Sequence, residues 1–281
     1  MRSLSAGRLL GAFAALVLVS VLLAACSAAQ SNSSAPGPPL TYVRFDGVSG
    51  YAEVPSAPAL SLSPRGLTVA VWMRPDTLSF AKTQGSLASE QYVHWLGKGQ
   101  QGRYEWTFRM YSLTTPGPRQ NRISFYVFAP QGGLGCGSYF QDPIAAGQWI
   151  QVVGVANQAT QQTSIYKNGV LRHSDSYATL TPAAGSAPMR IGSGDLSSFL
   201  QGAIGPIEIW NRPLSSAEIR TLYVAAQIPT SGLVARYALD EGNGSELHDT
   251  VGHHDAHLVA GTWASGRGEA GSSIGHSGGG C

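Results

Sequence analysis

Two neighbouring segments of alternating sequence carry the side chains that could bind a ligand. In 104–111, Tyr, Trp, Phe and Met alternate with Glu, Thr, Arg and Tyr, and 123–128 alternates in a similar way. Alternate residues of a strand point to opposite faces, so each segment predicts one apolar face and one mixed face. Aromatic rings and planar polar groups are the side chains that hold sugars. The candidate ligand face consists of Glu105, Thr107, Arg109, Tyr111, Tyr126 and Phe128, with His94 and Trp95 expected on a neighbouring strand.

The same face has a second interpretation. If a helix or the C-terminal tail packed against it, its aromatic residues would form a second small core and no ligand would reach them. An ordinary solvent face would carry more Lys and Glu and no Phe. The sequence therefore leaves two possibilities for this face, a binding surface and a covered core.

The sequence does not predict a catalytic site. Glycoside hydrolysis needs a pair of carboxylates that flank the scissile bond, but Glu105 has no second carboxylate beside it on its strand. The simplest expectation for Glu105 is a surface ion pair with Arg109, which would contribute little to stability. We therefore predict a binding protein rather than an enzyme, with a degenerate glycoside hydrolase as the less favoured alternative.

Calcium is the one cofactor that the sequence suggests. Calcium prefers carboxylate and carbonyl oxygens, and the candidate donors for a structural ion are Asp46, Asp240 and Asp249. Asp46 has an equally simple role as a turn residue that binds its own backbone. The stretch 248–257 holds several His and Asp residues, but their spacing fits no standard site, so we expect a solvated polar loop there.

The N-terminal segment has the features of an export signal. Residues 1–25 begin with a short basic segment and continue as an uncharged apolar run, which is typical of a secretory signal peptide. Residues 23–26 (Leu-Ala-Ala-Cys) resemble a bacterial lipobox, and this implies that Cys26 carries a lipid. A plain cleavable signal and an uncleaved anchor helix are the alternatives. Residues 26–39 are predicted to be a flexible tether rich in Ser and Pro, so we expect an exported lipoprotein anchored on the extracytoplasmic side.

Charge and cysteine content narrow the partners further. The formal net charge is +2, which gives no electrostatic reason to expect nucleic acid. Hydrophobic residues make up 43% and charged residues 12% of the chain, which excludes an intrinsically disordered protein. If Cys26 is lipidated, Cys136 and Cys281 remain, and they either form a disulfide or both stay free.

The elements that position these side chains are mostly strands. Short strand-like runs recur between Gly, Pro and Asn residues, as in a β-sandwich or jelly roll. Asn168 and Gly169 lie between two such runs and indicate a hairpin, because both residues tolerate positive φ. Ser215 and Glu218 have the spacing of a helix capping box. The predicted fold class is therefore all-β, a two-sheet antiparallel jelly-roll sandwich with one short helix near residues 215–226.

Several segments, taken in order, resemble a known family. They are 42–47, 51–55, 67–75, 149–155, 165–169 and 202–219. Their order and spacing are similar to a laminin-G-like, concanavalin A-like lectin/glucanase domain, and the resemblance implies a jelly roll over residues 40–228. Such domains often hold calcium, and glucanases of this fold carry paired acids on one strand, which this chain lacks. The fold hosts lectins, hydrolases and adhesion modules, so it does not define a function.

The C-terminal region has two interpretations. Residues 229–264 resemble the opening of a further unit of the same family, and 265–281 read as a flexible tail rich in Gly and Ser. The first segment either folds back to supply an edge strand or is the start of a truncated repeat. We favour the first interpretation, because an unpaired apolar strand at 233–239 would be an exposed sheet edge.

These features together predict a surface lipoprotein that acts as a non-catalytic binding module. Carbohydrate is the expected ligand, and a protein-binding adhesion or scaffold module is the alternative. The expected partners are a glycan or an extracellular protein, and the membrane through the N-terminal lipid.

Overall fold

The computed structural model describes residues 39–85, 90–129, 131–182 and 184–266. These residues form sixteen strands, one α-helix and one short 3₁₀ helix. In chain order the strands are β1 (Thr41–Asp46), β2 (Tyr51–Val54), β3 (Gly66–Pro75), β4 (Tyr92–Gln100), β5 (Arg103–Tyr111), β6 (Ile123–Val127), β7 (Cys136–Phe140), β8 (Ile150–Asn157), β9 (Gln162–Lys167), β10 (Val170–Ser176), β11 (Met189–Ile191), β12 (Gln201–Trp210), β13 (Leu233–Tyr237), β14 (Glu246–Leu247), β15 (Ala256–Val259) and β16 (Thr262–Ser265). The 3₁₀ helix is Pro58–Leu60, and the α-helix, α1, is Ser216–Ala225.

The strands form two antiparallel sheets of eight strands each. The first sheet has the order β10-β9-β8-β3-β12-β1-β16, and β13 also pairs with β12. The second sheet has the order β14-β15-β2-β11-β4-β5-β6-β7. The predicted all-β antiparallel sandwich is therefore confirmed.

The hydrophobic core lies between the two sheets. Val71 and Met73 of β3 are fully buried there, in one cluster with Trp106 and Phe108 of β5 from the second sheet. Removing such a side chain from water contributes about 1.5–3 kcal/mol. The inner faces of both sheets are thus used for stability, and a ligand site has to be built on an outer face or at an edge.

Helix α1 packs on the outer face of the first sheet. Ser215 Oγ accepts a hydrogen bond from the Glu218 backbone N–H at 3.3 Å, and the Glu218 carboxylate accepts one from the Ser215 N–H at 2.8 Å. This capping box satisfies two N–H groups at the start of the helix. The apolar side of the helix then covers a second small cluster that includes Val153, Tyr166, Trp210, Ile219 and Leu222. The helix therefore lies away from the second sheet's outer face.

The hairpin between β9 and β10 turns at two residues with positive φ. These are Asn168, with φ of 53°, and Gly169, with φ of 75°. The Asn168 side chain also accepts a hydrogen bond from the Gln151 N–H at 2.9 Å. The turn is thus tied to β8, the next strand of the first sheet.

The C-terminal strands are distributed over both sheets. Strand β13 pairs with β12, and β16 pairs with β1, both in the first sheet. Strand β15 pairs with β2 in the second sheet, and β14 pairs with β15. Each of the four strands thus has a paired neighbour. No helix among the described residues is long and apolar enough to span a membrane.

Candidate functional site

The second sheet carries a cavity on its outer face, away from the core. Its volume is about 510 Å³. The register brings Tyr92 opposite Tyr111 and His94 opposite Arg109, while Tyr126 lies on the next strand. The side chains that line the cavity floor and walls are Tyr92, His94, Tyr104, Arg109, Tyr111, Tyr126 and Phe128, with Glu90, Arg119 and Leu134 also contributing to the lining.

Neither the helix nor the C-terminal strands cover this cavity. Helix α1 packs on the first sheet, and the four C-terminal strands extend sheet edges. In the part of the chain that the structure describes, the face between β4 and β6 therefore forms a recess that neither α1 nor the C-terminal strands fill.

Four of the predicted ligand-face residues come together in the cavity lining. They are Arg109, Tyr111, Tyr126 and Phe128. Thr107 lies on the same side of β5 but is fully buried, and its hydroxyl donates to the Leu96 carbonyl at 3.2 Å. Thr107 therefore supports the pairing of β4 and β5 and does not line the cavity.

A β-bulge exchanges the expected roles of Tyr104 and Glu105. Lys98 pairs with Trp106 while Gly99 pairs with Tyr104, so Glu105 is the extra residue on β5. The Tyr104 hydroxyl consequently lies at the cavity floor, 3.3 Å from both His94 Nδ1 and Asp195 Oδ2. The Glu105 carboxylate instead forms a buried ion pair with Lys98. The expectation that Glu105 belongs to the ligand face and pairs with Arg109 is therefore wrong.

Trp95 does not lie on the ligand face, although β4 has a bulge at this residue. His94 pairs with Arg109 and Leu96 pairs with Phe108, which leaves Trp95 as an extra residue on β4. Its side chain is fully buried in the core, with its ring centroid 5.0 Å from that of Phe108. Trp95 therefore packs between the sheets and cannot contact a ligand in the cavity.

A chain of hydrogen bonds holds Arg109 from below. Arg109 Nε donates to His94 Nε2 at 2.8 Å, and His94 Nδ1 lies 2.8 Å from Asp195 Oδ2. Because the guanidinium can only donate, His94 Nε2 must accept and the imidazole proton must lie on Nδ1. The Asp195 carboxylate also accepts from the N–H groups of Ser197 and Ser198 at 2.9 and 2.8 Å. The orientation of Arg109 is therefore fixed by a loop far away in the sequence.

The ionisation states of His94 and Asp195 follow from burial and hydrogen bonding. Burial lowers the pKa of His94 to about 4. The Arg109 charge lowers this pKa further, while the hydrogen bond with Asp195 raises it in part. Burial raises the pKa of Asp195, but hydrogen bonds from His94 and the Ser197 and Ser198 N–H groups outweigh it and hold the pKa at about 2. Near neutral pH, His94 is therefore neutral and Asp195 is charged. Both imidazole nitrogens are engaged, so His94 has no free nitrogen to act as a catalytic base.

Three aromatic rings surround the Arg109 guanidinium. Its carbon lies 4.9 Å from the Tyr92 ring centroid, 4.5 Å from that of Tyr126 and 5.4 Å from that of Phe128. These are cation–π distances. Among the described residues, the two terminal NH₂ groups of Arg109 have no hydrogen-bond partner, since only Nε is bonded. The site thus presents two oriented, charged donors among aromatic walls.

The remaining lining adds a second cation and an exposed apolar side chain. Arg119 forms an ion pair with Glu90, and its Nη1 donates to the Tyr111 hydroxyl at 3.3 Å. Leu134 is 86% exposed. The cavity therefore combines hydrogen-bond donors, ring surfaces and an apolar residue, which is the usual composition of a small-ligand site.

The structure uses two of the three candidate calcium donors in turns. Asp46 Oδ1 accepts from the N–H groups of residues 48, 49 and 50. Asp249 accepts from four backbone N–H groups, including that of Arg236 at 2.8 Å. Asp240 is exposed. Within the described ranges, no three His, Cys, Asp or Glu side chains are grouped so that they could hold a metal ion. The calcium site therefore stays a prediction without support from the geometry.

Two other predicted sites depend on residues that the structure does not describe. Cys26 and the segments around it lie outside the described residues. Cys136 is half-buried at the start of β7 with a free thiol, and its proposed partner Cys281 is outside the described residues as well. Lipidation and the disulfide both stay predictions.

Asp195 and His94 are the site residues whose roles sequence reasoning missed. His94 was expected only as a neighbour of the ligand face, and Asp195 was not singled out. Asp195 lies 101 positions from His94 in the sequence, and its loop joins β11 to β12. Alternation within one strand cannot reveal such a partner, because the contact depends on which strands are adjacent in the sheet.

The sequence and the fold were compared with those of known proteins. Residues 46–220 match the laminin-G-like family described as the concanavalin A-like lectin/glucanases superfamily. No curated protein matches the sequence significantly. One similar solved structure is a candidate carbohydrate-binding protein from Bacteroides ovatus, with 15% identity and a TM-score of 0.57, over 82% of this chain and 61% of that one. Another is a SAP-like pentraxin from Limulus polyphemus, with 13% identity and a TM-score of 0.47, over 65% of this chain and 81% of that one.

At 15% identity the likeness to the Bacteroides ovatus structure shows a shared fold and nothing more specific. This chain also spans only about three fifths of the Bacteroides ovatus protein, since 61% of that chain is covered. The family match is what assigns the chain, because residues 46–220 are more than half of the 281 residues. The chain therefore belongs to the laminin-G-like family of the concanavalin A-like lectin/glucanases superfamily.

Proposed function

We propose that this protein is a non-catalytic carbohydrate-binding module, and that its ligand site is the cavity on the second sheet. The observation that carries the proposal is the Arg109 guanidinium, which three aromatic rings and His94 hold in one orientation. A preorganised donor loses little conformational entropy when it binds a hydroxyl or carboxylate oxygen. The half-buried ring of Tyr126 and the exposed side chain of Leu134 supply apolar surface of the kind that sugar C–H groups contact.

The electrostatics of the cavity favour binding over hydrolysis. Hydrolysis of a glycosidic bond uses two carboxyl groups that face the bond from opposite sides. Of the two acids near this cavity, Glu90 pairs with Arg119, and Asp195 is fully buried behind His94. Neither acid is placed to protonate a leaving group. The candidate carbohydrate-binding assignment of the Bacteroides ovatus protein agrees with this proposal, although the argument rests on the cavity itself.

The test is a glycan array probed with the purified protein and with two single variants. Arg109→Gln removes the charged donor pair from the cavity. Arg122→Gln is the matched control, because Arg122 also stacks on a tyrosine, with its guanidinium 3.9 Å from the Tyr139 ring centroid, but lies outside the cavity lining. We expect the wild type and Arg122→Gln to bind the same glycans and Arg109→Gln to lose at least tenfold in affinity. If a folded wild-type sample bound no glycan, a protein-binding module would become the better proposal.

Calcium dependence is tested in the same array. Because Asp46 and Asp249 are occupied by backbone N–H groups, we expect glycan binding to be unchanged by a chelator. Loss of binding in the chelator would show that a metal ion supports the site and would restore the calcium prediction.

We propose further that the protein is exported and anchored through a lipid on Cys26. The order of basic, apolar and small residues before this cysteine supports the proposal. The test is the Cys26→Ser variant in a bacterial host fed a labelled fatty acid. We expect label and membrane association in the wild type only. Equal membrane association in both proteins would favour an uncleaved anchor helix.

A further inference from the structure

Arg109 differs from the other arginine of the cavity in having no acidic partner. Arg119 contacts the Glu90 carboxylate. Among the described residues, Arg109 contacts no carboxylate directly, and its Nε binds the neutral imidazole of His94. The Asp195 carboxylate balances this charge from behind His94, but none of its surface is exposed. A ligand that enters the cavity therefore meets the positive edge of Arg109 and not the negative charge of Asp195.

The contacts of Arg109 leave one edge of the guanidinium unused. Nε is occupied by His94, and the faces of the planar group are near Tyr92, Tyr126 and Phe128. The two terminal NH₂ groups remain as a fixed pair of donors. Such a pair matches the two oxygens of a carboxylate, whereas a sugar hydroxyl offers only one oxygen. The geometry is therefore better suited to a carboxylate than to a neutral sugar.

The rest of the lining is suited to a sugar that carries this carboxylate. Tyr104 and Tyr111 belong to the cavity lining, and Leu134 offers an exposed apolar surface. A cavity of about 510 Å³ lies within the usual range for small-ligand sites. A small carboxylate alone would leave most of this lining without contacts.

We propose that the ligand is an acidic glycan, in which the carboxylate of a uronic acid unit binds the terminal NH₂ groups of Arg109. This proposal rests on the proposed function and names its substrate class. His94 and Asp195 act as positioning residues, because both side chains are buried and hold Arg109 through consecutive hydrogen bonds.

The test is calorimetric titration of the protein with matched pairs of oligosaccharides. The acidic members are short oligomers of galacturonate, of mannuronate and of hyaluronan, and each partner is the same oligomer with its carboxylates reduced to hydroxymethyl groups. Acetate is the probe for a carboxylate without a sugar. The protein variants are Arg109→Lys and Arg109→Gln, with Arg122→Gln as the control, and thermal melts establish that each variant is folded.

We expect at least one acidic oligomer to bind 10- to 100-fold more tightly than its reduced partner, as for a hydrogen bond to a charged group. Arg109→Lys should lose part of this preference and Arg109→Gln all of it, while Arg122→Gln keeps it. Equal affinity for acidic and reduced partners would overturn the proposal and leave carbohydrate binding intact. Binding of acetate as tight as that of the oligomers would also overturn it. If neutral glycans bound and no acidic oligomer did, the acidic-glycan proposal would fail and the proposed carbohydrate-binding function would stand. If no glycan of any kind bound, the proposed function would fail with it.

Discussion

Arg109 shows how a single side chain acquires a defined orientation from residues of different strands and loops. Its Nε is bound by His94 of β4, and its faces are covered by rings from β4, β6 and the residue after β6. Each contact is worth roughly 1 kcal/mol or less at a partly exposed site. Their value for function is that they reduce the number of orientations that the donor pair can adopt before a ligand arrives.

Glu208 is a buried acid outside the cavity, and its pKa has a consequence for stability. It lies on β12 opposite Arg236 of β13. Burial raises its pKa from 4.5 to about 7, and the charge of Arg236 opposes this only in part. The native protein therefore keeps a proton that the unfolded chain releases above pH 4.5. From this residue alone, the free energy of unfolding should fall by about 3 kcal/mol as the pH rises from 4.5 to 7.

His94 changes the free energy of unfolding in the opposite direction over nearly the same pH range. Burial lowers its pKa from 6.5 to about 4. Between these pH values His94 is protonated in the unfolded chain and neutral in the native protein. The contribution of His94 is complete above pH 6.5 and is lost as the pH falls toward 4. Between pH 4.5 and 6.5 the two residues should nearly cancel.

The Glu208→Gln variant should separate these two effects. We expect the free energy of unfolding of the wild type to change little between pH 4.5 and 6.5. In Glu208→Gln it should rise by about 2 kcal/mol over this interval, because Glu208 no longer opposes the contribution of His94. Denaturant unfolding at several pH values measures both profiles. Parallel profiles for the two proteins would show that Glu208 does not carry a raised pKa.

At the scale of single elements, the sequence predicts features formed by residues a few positions apart. It does not predict features that depend on how a strand pairs with its neighbour. The capping box at Ser215 and the turn at Asn168 and Gly169 depend on residues a few positions apart, and the structure contains both. The positions of Tyr104 and Glu105 depend on a bulge, because an extra residue in one strand shifts the alternation beyond it. Strict alternation along β5 therefore assigns both residues to the wrong side, whereas alternation from His94 already places Trp95 on the core side.

Gly99 makes the bulge at Glu105 possible. Its φ is 132°, and a Cβ atom at this position would lie 2.5 Å from the Tyr104 Cα. We expect Gly99→Ala to lower the free energy of unfolding by about 3 kcal/mol. Gly102→Ala is the control, since Gly102 also has positive φ, at 78°, but has open space around its Cβ position. Its cost should be about 1 kcal/mol. Equal effects in thermal or denaturant unfolding would mean that the bulge is not crowded.

At the scale of the whole molecule, the C-terminal strands belong to the same two sheets as the rest of the domain. Tyr237, Leu247 and Leu258 are buried in the core between the sheets. The overall fold could be predicted because many weak local signals agree on a sandwich. Strand order could not, because pairings such as β16 with β1 join opposite ends of the chain and leave no local pattern.

Leu247 tests whether this C-terminal segment stabilises the domain. Its side chain is fully buried, so Leu247→Ala should lower the free energy of unfolding by about 2–5 kcal/mol in a single transition. Val251→Ala is the control, because Val251 is exposed and lies in the same segment. An unchanged melting temperature for Leu247→Ala would show that the segment is an appendage of the sandwich.

The most direct test of carbohydrate binding in the cavity is the NMR spectrum of the arginine side chains during titration with the best glycan from the array. Each Nε–Hε group reports on its own surroundings, so the spectrum locates the ligand. If the cavity is the ligand site, the Arg109 signal shifts in proportion to occupancy and Arg119 shifts with it. Arg122, which lies outside the cavity lining, and Arg44, which pairs with Asp76 on the first sheet, stay unchanged. A glycan that binds with an unchanged Arg109 signal, or that shifts the arginines outside the cavity instead, would contradict the assignment of this site.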